Sequence, residues 1–149
     1  MKSVLYFMGA DHDKLDNIFR KFRNIKSRDK NKAIGLFRKF KNDLQRHISL
    51  EEDILFPLFE TKIGMNETSP IYVMKIEHNE IKDLLSKIDN CFTNGDVNTN
   101  VLEDYLIKIL SEHNSKEESI LYPLIDNSIG EDERRDLLIE INKLFSNKS

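Results

Sequence analysis

The sequence is poor in residues that cross-link, kink or loosen a chain: its 149 residues include one cysteine, three prolines, five glycines and no tryptophan. A lone cysteine, Cys91, cannot form an internal disulfide, which excludes a disulfide-stapled fold and is typical of a reducing compartment. Because no histidine lies near Cys91 in the sequence, we interpret it as a partly buried thiol near a helix end. A redox thiol is the alternative.

Long apolar runs are missing as well. No segment approaches the roughly 20 apolar residues of a membrane-spanning helix. The charged pair Asp11 and His12 comes too early for a secretory signal peptide. We therefore expect a cytoplasmic protein without a membrane partner.

Neither sign of charge dominates, since a third of the residues are charged and the formal net charge is −3. The most basic run, residues 20–32, is interrupted by Phe22 and Ile25. This pattern predicts a solvated helix face rather than the clustered basic surface of a nucleic-acid-binding protein. Nucleic acid is therefore not an expected partner.

One motif is written twice. His47 is followed four positions later by Glu51, and further along the chain His113 is followed in the same way by Glu117. The two copies differ in residue number by an offset of 66, and the same offset relates the other two histidines, His12 and His78. All four histidines of the protein therefore belong to one internal repeat.

Apolar residues recur every three or four positions over residues 4–25, 37–58, 71–92 and 102–124, and again in a tail over residues 131–145. This spacing predicts amphipathic helices, with Ile54, Leu58, Ile120 and Leu124 on the apolar faces. Turn signals lie at residues 27–29, at Gly64 with 69–70, at 94–96 and near Gly130. We predict one all-α domain over residues 1–149, an antiparallel up-down-up-down four-helix bundle with a short C-terminal fifth helix. The tail helix is expected to pack across the bundle or against a second subunit, and Pro57 to bend or loosen the end of its helix.

The histidines occupy core positions of these helices. The midpoints between successive histidines fall close to the three predicted turns, so in an antiparallel bundle all four imidazoles lie at one height. Glu51 and Glu117 project from the same helix faces as His47 and His113, because residues four apart stack on a helix. Buried polar groups without partners would cost several kcal/mol each, which favours a bound cation.

We therefore predict a metal site made of six side chains: His12, His47, Glu51, His78, His113 and Glu117. Imidazole and carboxylate ligands suit iron, manganese or zinc, and bundle cores of this kind commonly hold two metals bridged by carboxylates. Met8 and Met74 are interpreted as core residues. Glu52 and Glu118 point about 100° away from the ligand glutamates, which favours solvent or an outer contact over coordination. Further expectations concern a dry pocket lined by Leu15, Leu44, Ile81 and Leu110. Asp11 and Glu77 are candidates for proton or iron delivery or for outer contacts, and solvated helix charges are the alternative.

The repeated pattern, with its Leu-Phe-Pro and Leu-Tyr-Pro endings, resembles the hemerythrin-like (HHE cation-binding) domain family over nearly the whole chain. The resemblance implies a non-haem di-iron centre, with two Fe ions held by the four histidines as terminal ligands and by Glu51 and Glu117 as bridges. Oxygen-carrying hemerythrins have a fifth histidine where Lys82 stands. The ligand set is more similar to that of repair-of-iron-centres proteins, which act on damaged iron-sulfur clusters. Those proteins usually carry an N-terminal cysteine-containing domain, which is not expected here because the first predicted helix begins near Met1.

The resulting hypothesis is a di-iron protein that binds or reduces dioxygen, nitric oxide or peroxide during oxidative or nitrosative stress or iron-centre repair. The alternative is a non-catalytic oxygen or iron sensor, carrier or storage module. Mn or Zn are the expected substitutes for Fe, a redox partner is expected, and both a monomer and a homodimer are compatible with the sequence. Phe56 and Tyr122 are expected on the exposed side of their helices, opposite the ligands, where they would seat the tail helix or a second subunit.

Overall fold

The computed structural model of the chain describes residues 2–64 and 69–146. Helix α1 spans Val4–Ile25, α2 Lys30–Leu50, α3 Phe56–Ile63, α4 Pro70–Thr93, α5 Asn100–Lys116, α6 Tyr122–Ser128 and α7 Glu131–Ser146. Two π-helical turns, Glu51–Leu55 and Glu117–Leu121, join α2 to α3 and α5 to α6 without a break. The predicted all-α, up-down-up-down four-helix bundle with a C-terminal helix is confirmed.

The helix ends follow their local sequence. Ser3 accepts a hydrogen bond from the Tyr6 amide at the start of α1, and Asp29 does the same for Lys32 at the start of α2. Ser69, followed by Pro70 in the first turn, caps α4. Gly95, with φ of 82°, forms the turn after α4, a conformation that disfavours residues with a Cβ atom. The turn predicted between Gly64 and Ser69 falls largely on residues 65–68, which lie outside the described residues.

The core is divided into two apolar clusters. The lower cluster contains Leu15, Leu44, Ile81 and Leu110 together with phenylalanines of α1, α2 and α4 in edge-to-face and tilted contacts. The upper cluster contains Met8 and Met74, which are core residues as expected, and the buried side of α3, α6 and α7. The histidines lie between these clusters along the sequence of each helix, so the bundle has a polar layer between two apolar ones.

The C-terminal helix packs on the bundle, which was one of the two predicted arrangements. Leu137 and Ile141 of α7 are buried in the upper cluster, whereas Leu144 is 39% exposed. Arg134 donates hydrogen bonds to the Asp126 side chain and backbone, which connects α7 to α6. None of the helices in residues 2–64 and 69–146 combines the length and apolarity that crossing a membrane requires.

The apolar face is displaced by one residue beyond each ligand glutamate. Ile120 and Leu124 were predicted on the core face but are 50% and 38% exposed, and the residues that follow them, Leu121 and Ile125, are buried instead. In the first repeat Leu55 and Phe59 are buried while Ile54 and Leu58 are half-buried. The prediction was wrong for Ile120 and Leu124, whereas Ile54 and Leu58 still pack against the upper cluster. It assumed 3.6 residues per turn throughout, whereas each π-turn inserts one extra residue.

Candidate metal centre

The four histidines each lie on a different long helix and meet at one level of the bundle. His12 is on α1, His47 on α2, His78 on α4 and His113 on α5, and all four are buried. The ring centroids of His12 and His47 are 4.7 Å apart, and those of His78 and His113 are 4.9 Å apart. The imidazoles therefore form two close pairs, as expected for side chains at equal distance from the turns.

Glu51 and Glu117 are fully buried between these pairs. Oε1 of Glu51 lies 3.1 Å from Nε2 of His78, and its Oε2 lies 3.7 Å from Nε2 of His47. Oε1 of Glu117 lies 3.1 Å from Nε2 of His12, and its Oε2 lies 3.3 Å from Nε2 of His113. Each carboxylate thus presents one oxygen to each pair of imidazoles.

The ligand atoms fall into two overlapping groups. One contains atoms of His12, His47 and Glu117, and the other contains atoms of Glu51, His78, His113 and Glu117, in each case within 4.8 Å of one another. We call the space between His12 and His47 the first position and the space between His78 and His113 the second position. The structure brings together all six residues that the sequence singled out.

Every histidine also contacts a carboxylate on its outer side. The Nδ1 contacts are His12 with Glu118 at 2.8 Å, His47 with Asp11 at 2.7 Å, His78 with Glu52 at 2.8 Å and His113 with Glu77 at 2.9 Å. These four acids obey the same repeat offset that relates the histidines. They include the two acids predicted as outer contacts and the two for which solvent or an outer contact was expected.

These contacts set the orientation and tautomer of the rings. An ionised carboxylate only accepts hydrogen bonds, so Nδ1 of each ring carries the proton and donates it outward. Nε2, which faces the glutamates, then has the lone pair in a neutral ring and carries a second proton, which a metal would displace, in a charged ring. Carboxylates that orient imidazoles in this way are typical of histidines that bind metals.

Charges within the layer perturb its protonation. Burial alone would lower the pKa of His47, but the charge of Glu51 and the hydrogen bond with Asp11 raise it to about 10. Burial would likewise lower the pKa of His113, yet Glu117 raises it to about 9. Burial would raise the pKa of Glu51, but hydrogen bonding within the layer and the charge of His47 hold it well below its usual value. The buried carboxylates therefore favour positive charge beside them.

Three buried atoms of the layer lack a hydrogen-bond partner among the described residues: Oε1 of Glu51, Oε2 of Glu117 and Nε2 of His78. Nε2 of His78 and Oε1 of Glu51 are 3.1 Å apart, but without the alignment that a hydrogen bond requires. A neutral imidazole and a carboxylate would place lone pairs opposite each other at this distance. A cation between them would satisfy both, so these residues fit a bound metal.

Tyr122 is a member of the layer that the sequence analysis did not find. It was expected on the exposed face but is fully buried, and its hydroxyl group lies 2.6 Å from Oε2 of Glu51 and 3.0 Å from Oε1 of Glu117. The same hydroxyl lies 3.3 Å from Nε2 of His47 and 3.4 Å from Nε2 of His12. Burial and the two glutamate charges raise the pKa of Tyr122 well above its usual value, so the phenol keeps its proton.

The π-turns explain this error. In an α-helix, a residue five positions after Glu117 would point about 140° away from it. Here the Tyr122 amide donates to the Glu117 carbonyl in an i to i+5 bond, which brings the tyrosine back above the glutamate. Phe56 follows Glu51 in the same way, is fully buried, and stacks on the His78 ring at 5.6 Å between ring centroids. Both expectations of exposure were therefore wrong.

A signal for the widened turns was present in the sequence. Pro57 and Pro123 each follow the ligand glutamate by six positions, and each lies in the first turn of the helix after the π-turn. A proline inside a helix lacks the amide proton and crowds the carbonyl four residues earlier. A turn with i to i+5 bonds relieves this crowding, so the helix continues where only bending or loosening was predicted.

The four leucine and isoleucine residues predicted to line a dry pocket, Leu15, Leu44, Ile81 and Leu110, are buried together in the lower cluster below the imidazoles. Leu110 also lines a cleft of about 790 Å³ between α1 and α5. Glu118, the outer partner of His12, lines this cleft, and Arg20 and Ser111 are among its other polar lining residues. The cleft therefore reaches the carboxylate that contacts His12. The predicted ligand pocket itself stays a prediction.

Lys82 occupies the place of the fifth histidine of oxygen-carrying hemerythrins. Its ammonium group lies 3.6 Å from Glu52, the outer partner of His78.

Cys91 is a half-buried free thiol near the end of α4, as expected. The tail helix also reaches the layer from outside, since the Phe145 ring stacks on His47 at 6.5 Å.

Comparisons with known proteins agree with this geometry. A family model described as the hemerythrin HHE cation binding domain matches residues 3–125. The iron-sulfur cluster repair protein YtfE of Salmonella schwarzengrund (strain CVM19633) is 34% identical, with 54% of this chain and 41% of that protein covered. YtfE of Enterobacter sp. (strain 638) is 36% identical with the same coverage. The chain thus spans less than half the length of the curated relatives it matches. No solved structure matches this chain.

Proposed function

Because this chain belongs to the hemerythrin HHE cation-binding family, we propose that it is a non-haem di-iron protein that binds or reduces a small oxidant. The candidate oxidants are dioxygen, nitric oxide and peroxide. The observation that carries the proposal is the arrangement of the layer, in which four imidazoles direct Nε2 toward two glutamates that each face both imidazole pairs.

In this proposal His12 and His47 would hold one iron at the first position, and His78 and His113 would hold the other at the second. Glu51 and Glu117, which each face both positions, would be ligands of both ions. The ligand set also suits manganese or zinc as substitutes. A purely structural zinc would need only four ligands for one ion, whereas six ligand side chains at two positions favour a two-metal centre.

Bound iron would supply Lewis acidity and electrons for the reduction of a small oxidant. The protein's own residues hold the centre and control access to it. The outer carboxylates Asp11, Glu52, Glu77 and Glu118 fix the imidazole tautomers, and the leucine and isoleucine residues below the layer exclude water. The cleft between α1 and α5 supplies a path along which a diatomic molecule or peroxide approaches the first position.

The relatives favour a role in iron-centre repair or in protection from oxidative and nitrosative stress. The matched relatives are named iron-sulfur cluster repair proteins, and the family model that matches residues 3–125 of this chain includes all six ligand residues. We infer that this chain handles iron or a small oxidant under the same kinds of stress. The proposal includes a small oxidant as the physiological substrate and a redox partner.

Metal analysis tests the assignment of the ligands. Protein purified from iron-replete cells without added chelator is expected to contain about two irons per chain, and the double variant Glu51→Gln with Glu117→Gln is expected to lose both. Glu103→Gln is a matched control, because Glu103 is a fully buried glutamate of α5 that pairs with Arg23 and Lys26, outside the layer. Circular dichroism checks that each variant is folded. Iron retained by the folded double variant would contradict the proposal.

A turnover experiment distinguishes an enzyme from a sensor or carrier. The reduced iron-loaded protein is mixed with excess nitric oxide or peroxide in the presence of a chemical reductant, and consumption is followed over time. Consumption of many equivalents per chain supports an enzyme. A reversible spectral change without consumption supports the alternative, a sensor or carrier.

A further inference from the structure

The two metal positions are built from repeat mates, with one difference between them. The histidines, the glutamates and the outer carboxylates of the first position each have a repeat mate at the second position that is the same residue or another acid. The residues above the two positions are repeat mates, but they differ in chemistry. Tyr122 lies beside His12 at the first position, and its repeat mate Phe56 stacks on His78 at the second.

The hydroxyl group of Tyr122 is a hydrogen-bond partner for the carboxylate oxygens at the first position. It lies within hydrogen-bond distance of Oε2 of Glu51 and Oε1 of Glu117, the two carboxylate oxygens that face His47 and His12. Because a phenol has one proton, it donates to one glutamate at a time, and its oxygen accepts from Nε2 of His47 when that ring is protonated. The carboxylate oxygens of the first position therefore have a hydrogen-bond donor within reach.

The unpartnered atoms lie at the second position. Four atoms face this position, and three of them, Oε1 of Glu51, Oε2 of Glu117 and Nε2 of His78, lack a hydrogen-bond partner among the described residues. The fourth, Nε2 of His113, lies 3.3 Å from Oε2 of Glu117. Phe56 provides no hydroxyl group there. Buried acceptors without partners are costly, so the second position gains more from a cation than the first.

We propose that the two positions load in order: a divalent first-row cation binds first and tightly at the second position, between His78 and His113. A further cation binds more weakly at the first position, where it must replace the hydrogen bonds of Tyr122. The inference rests on the proposed function for the identity of the ligands, and adds that the first position is the exchangeable one.

The surroundings of the two positions support exchange at the first. The cleft between α1 and α5 reaches Glu118, whose side chain is 42% exposed, whereas the side chain of Glu52 is 26% exposed. Lys82 beside Glu52 opposes cation binding at the second position, and its repeat mate Asp16 lines the cleft. These charges are exposed and screened by solvent, so their effect is smaller than that of the fully buried unpartnered atoms.

Reciprocal exchange of the two aromatic residues tests the order. The metal-free protein is titrated anaerobically with Co²⁺, whose visible absorption reports its ligands, and each step is measured by calorimetry. Wild type is expected to show two steps whose Kd values differ by about tenfold or more. Tyr122→Phe removes the hydroxyl from the first position, so the weaker step should tighten until both Kd values agree within about threefold. Phe56→Tyr should weaken the tight step.

Two further sets of variants identify the positions and check the fold. His78→Ala should remove the tight step and His12→Ala the weak one. Tyr105→Phe is a control for loss of a tyrosine hydroxyl, because Tyr105 lies on the exposed side of α5, and it should leave both steps unchanged. Tyr122→Phe should also lower the melting temperature of the metal-free protein, since it leaves further carboxylate oxygens without a partner.

Three results would overturn the inference while leaving the metal centre intact: two equal steps in wild type, loss of the tight step in His12→Ala, or a weaker second step in Tyr122→Phe. The last result would mean that the phenol oxygen is itself a ligand of the first position. If folded wild-type protein binds no Co²⁺, Fe²⁺ or Mn²⁺ in the layer, the proposed function fails, and the loading order fails with it.

Discussion

Replacement of Asp11 by asparagine isolates the effect of an outer carboxylate on metal binding. Asp11 is buried, and its Oδ2 lies 2.7 Å from Nδ1 of His47. Burial would raise the pKa of this carboxyl group, but the hydrogen bond and charge of His47 outweigh burial and lower it, so the group is ionised at neutral pH. Asparagine preserves the shape and one acceptor but removes the charge that increases the basicity of the imidazole.

The size of the effect follows from the role of the contact. Removal of an outer partner of a ligating histidine costs about 10 to 100-fold in metal affinity, or about 1.4 to 2.7 kcal/mol. Because asparagine still accepts a hydrogen bond from Nδ1, we expect Asp11→Asn to lie near the lower end, about tenfold. Its repeat mate variant, Glu77→Gln, is expected to weaken the position that contains His113 by a similar factor.

The assay is competition between the protein and a chromophoric chelator for Fe²⁺ under anaerobic conditions. Asp13→Asn is the control, because Asp13 lies two positions away on the exposed face of the same helix. It removes the same charge from the chain without touching a histidine. Equal metal affinities for Asp11→Asn, Asp13→Asn and wild type would refute the argument that the outer carboxylates support the metal ligands.

Three other predictions concern the scaffold. Gly35→Ala, at an exposed α2 position where an added Cβ meets no atom within 4 Å, should raise the free energy of unfolding in urea by about 0.5–1 kcal/mol; a destabilised variant would contradict it. Asp126→Ala should lower this free energy by about 1–2 kcal/mol, because the carboxylate accepts from the Val4 and Leu5 amides at the start of α1; an unchanged urea midpoint would contradict it. Burial would raise the pKa of Asp89, but Lys41 and Arg38 lower it from 3.8. Its contribution is therefore fully present above pH 3.8 and is lost as the pH falls through the lowered pKa, so Asp89→Asn should cost up to about 1 kcal/mol at neutral pH and progressively less in acid; an acid-insensitive difference would contradict this.

The sequence was sufficient to predict the bundle and the level at which the ligands meet. Helix periodicity and turn residues fix the antiparallel order, and equal distances from the turns place His12 and His47, or His78 and His113, side by side. These are local or symmetric properties of the chain. The six ligand candidates follow from them because residues three or four apart lie on the same face of a helix.

The sequence did not reveal the π-turns or their consequences. A single i to i+5 bond rotates every later side chain about the helix axis, so Tyr122 and Phe56 were assigned to the wrong side of their helices. Pro57 and Pro123 were the available signal, but a proline in a helix also fits a bend or an end. The choice depends on packing against α1 and α4, which local sequence does not encode.

Prediction of the histidine contacts of Glu52 and Glu118 needed a different kind of information. Each lies about 100° from the ligand glutamate on its own helix, which favoured solvent or an outer contact. In the structure each reaches a histidine of another helix, His78 and His12 respectively. Such a contact is set by the distance and rotation between helices, and these follow from side-chain packing across the whole core.

Anomalous diffraction at the iron absorption edge is the most direct test of a two-metal layer. Crystals of the iron-loaded protein are expected to show two anomalous peaks, one between His12 and His47 and one between His78 and His113, with Glu51 and Glu117 contacting both. Iron located elsewhere in the molecule, or a single peak that none of the histidines contacts, would contradict the assignment of this layer as the metal centre.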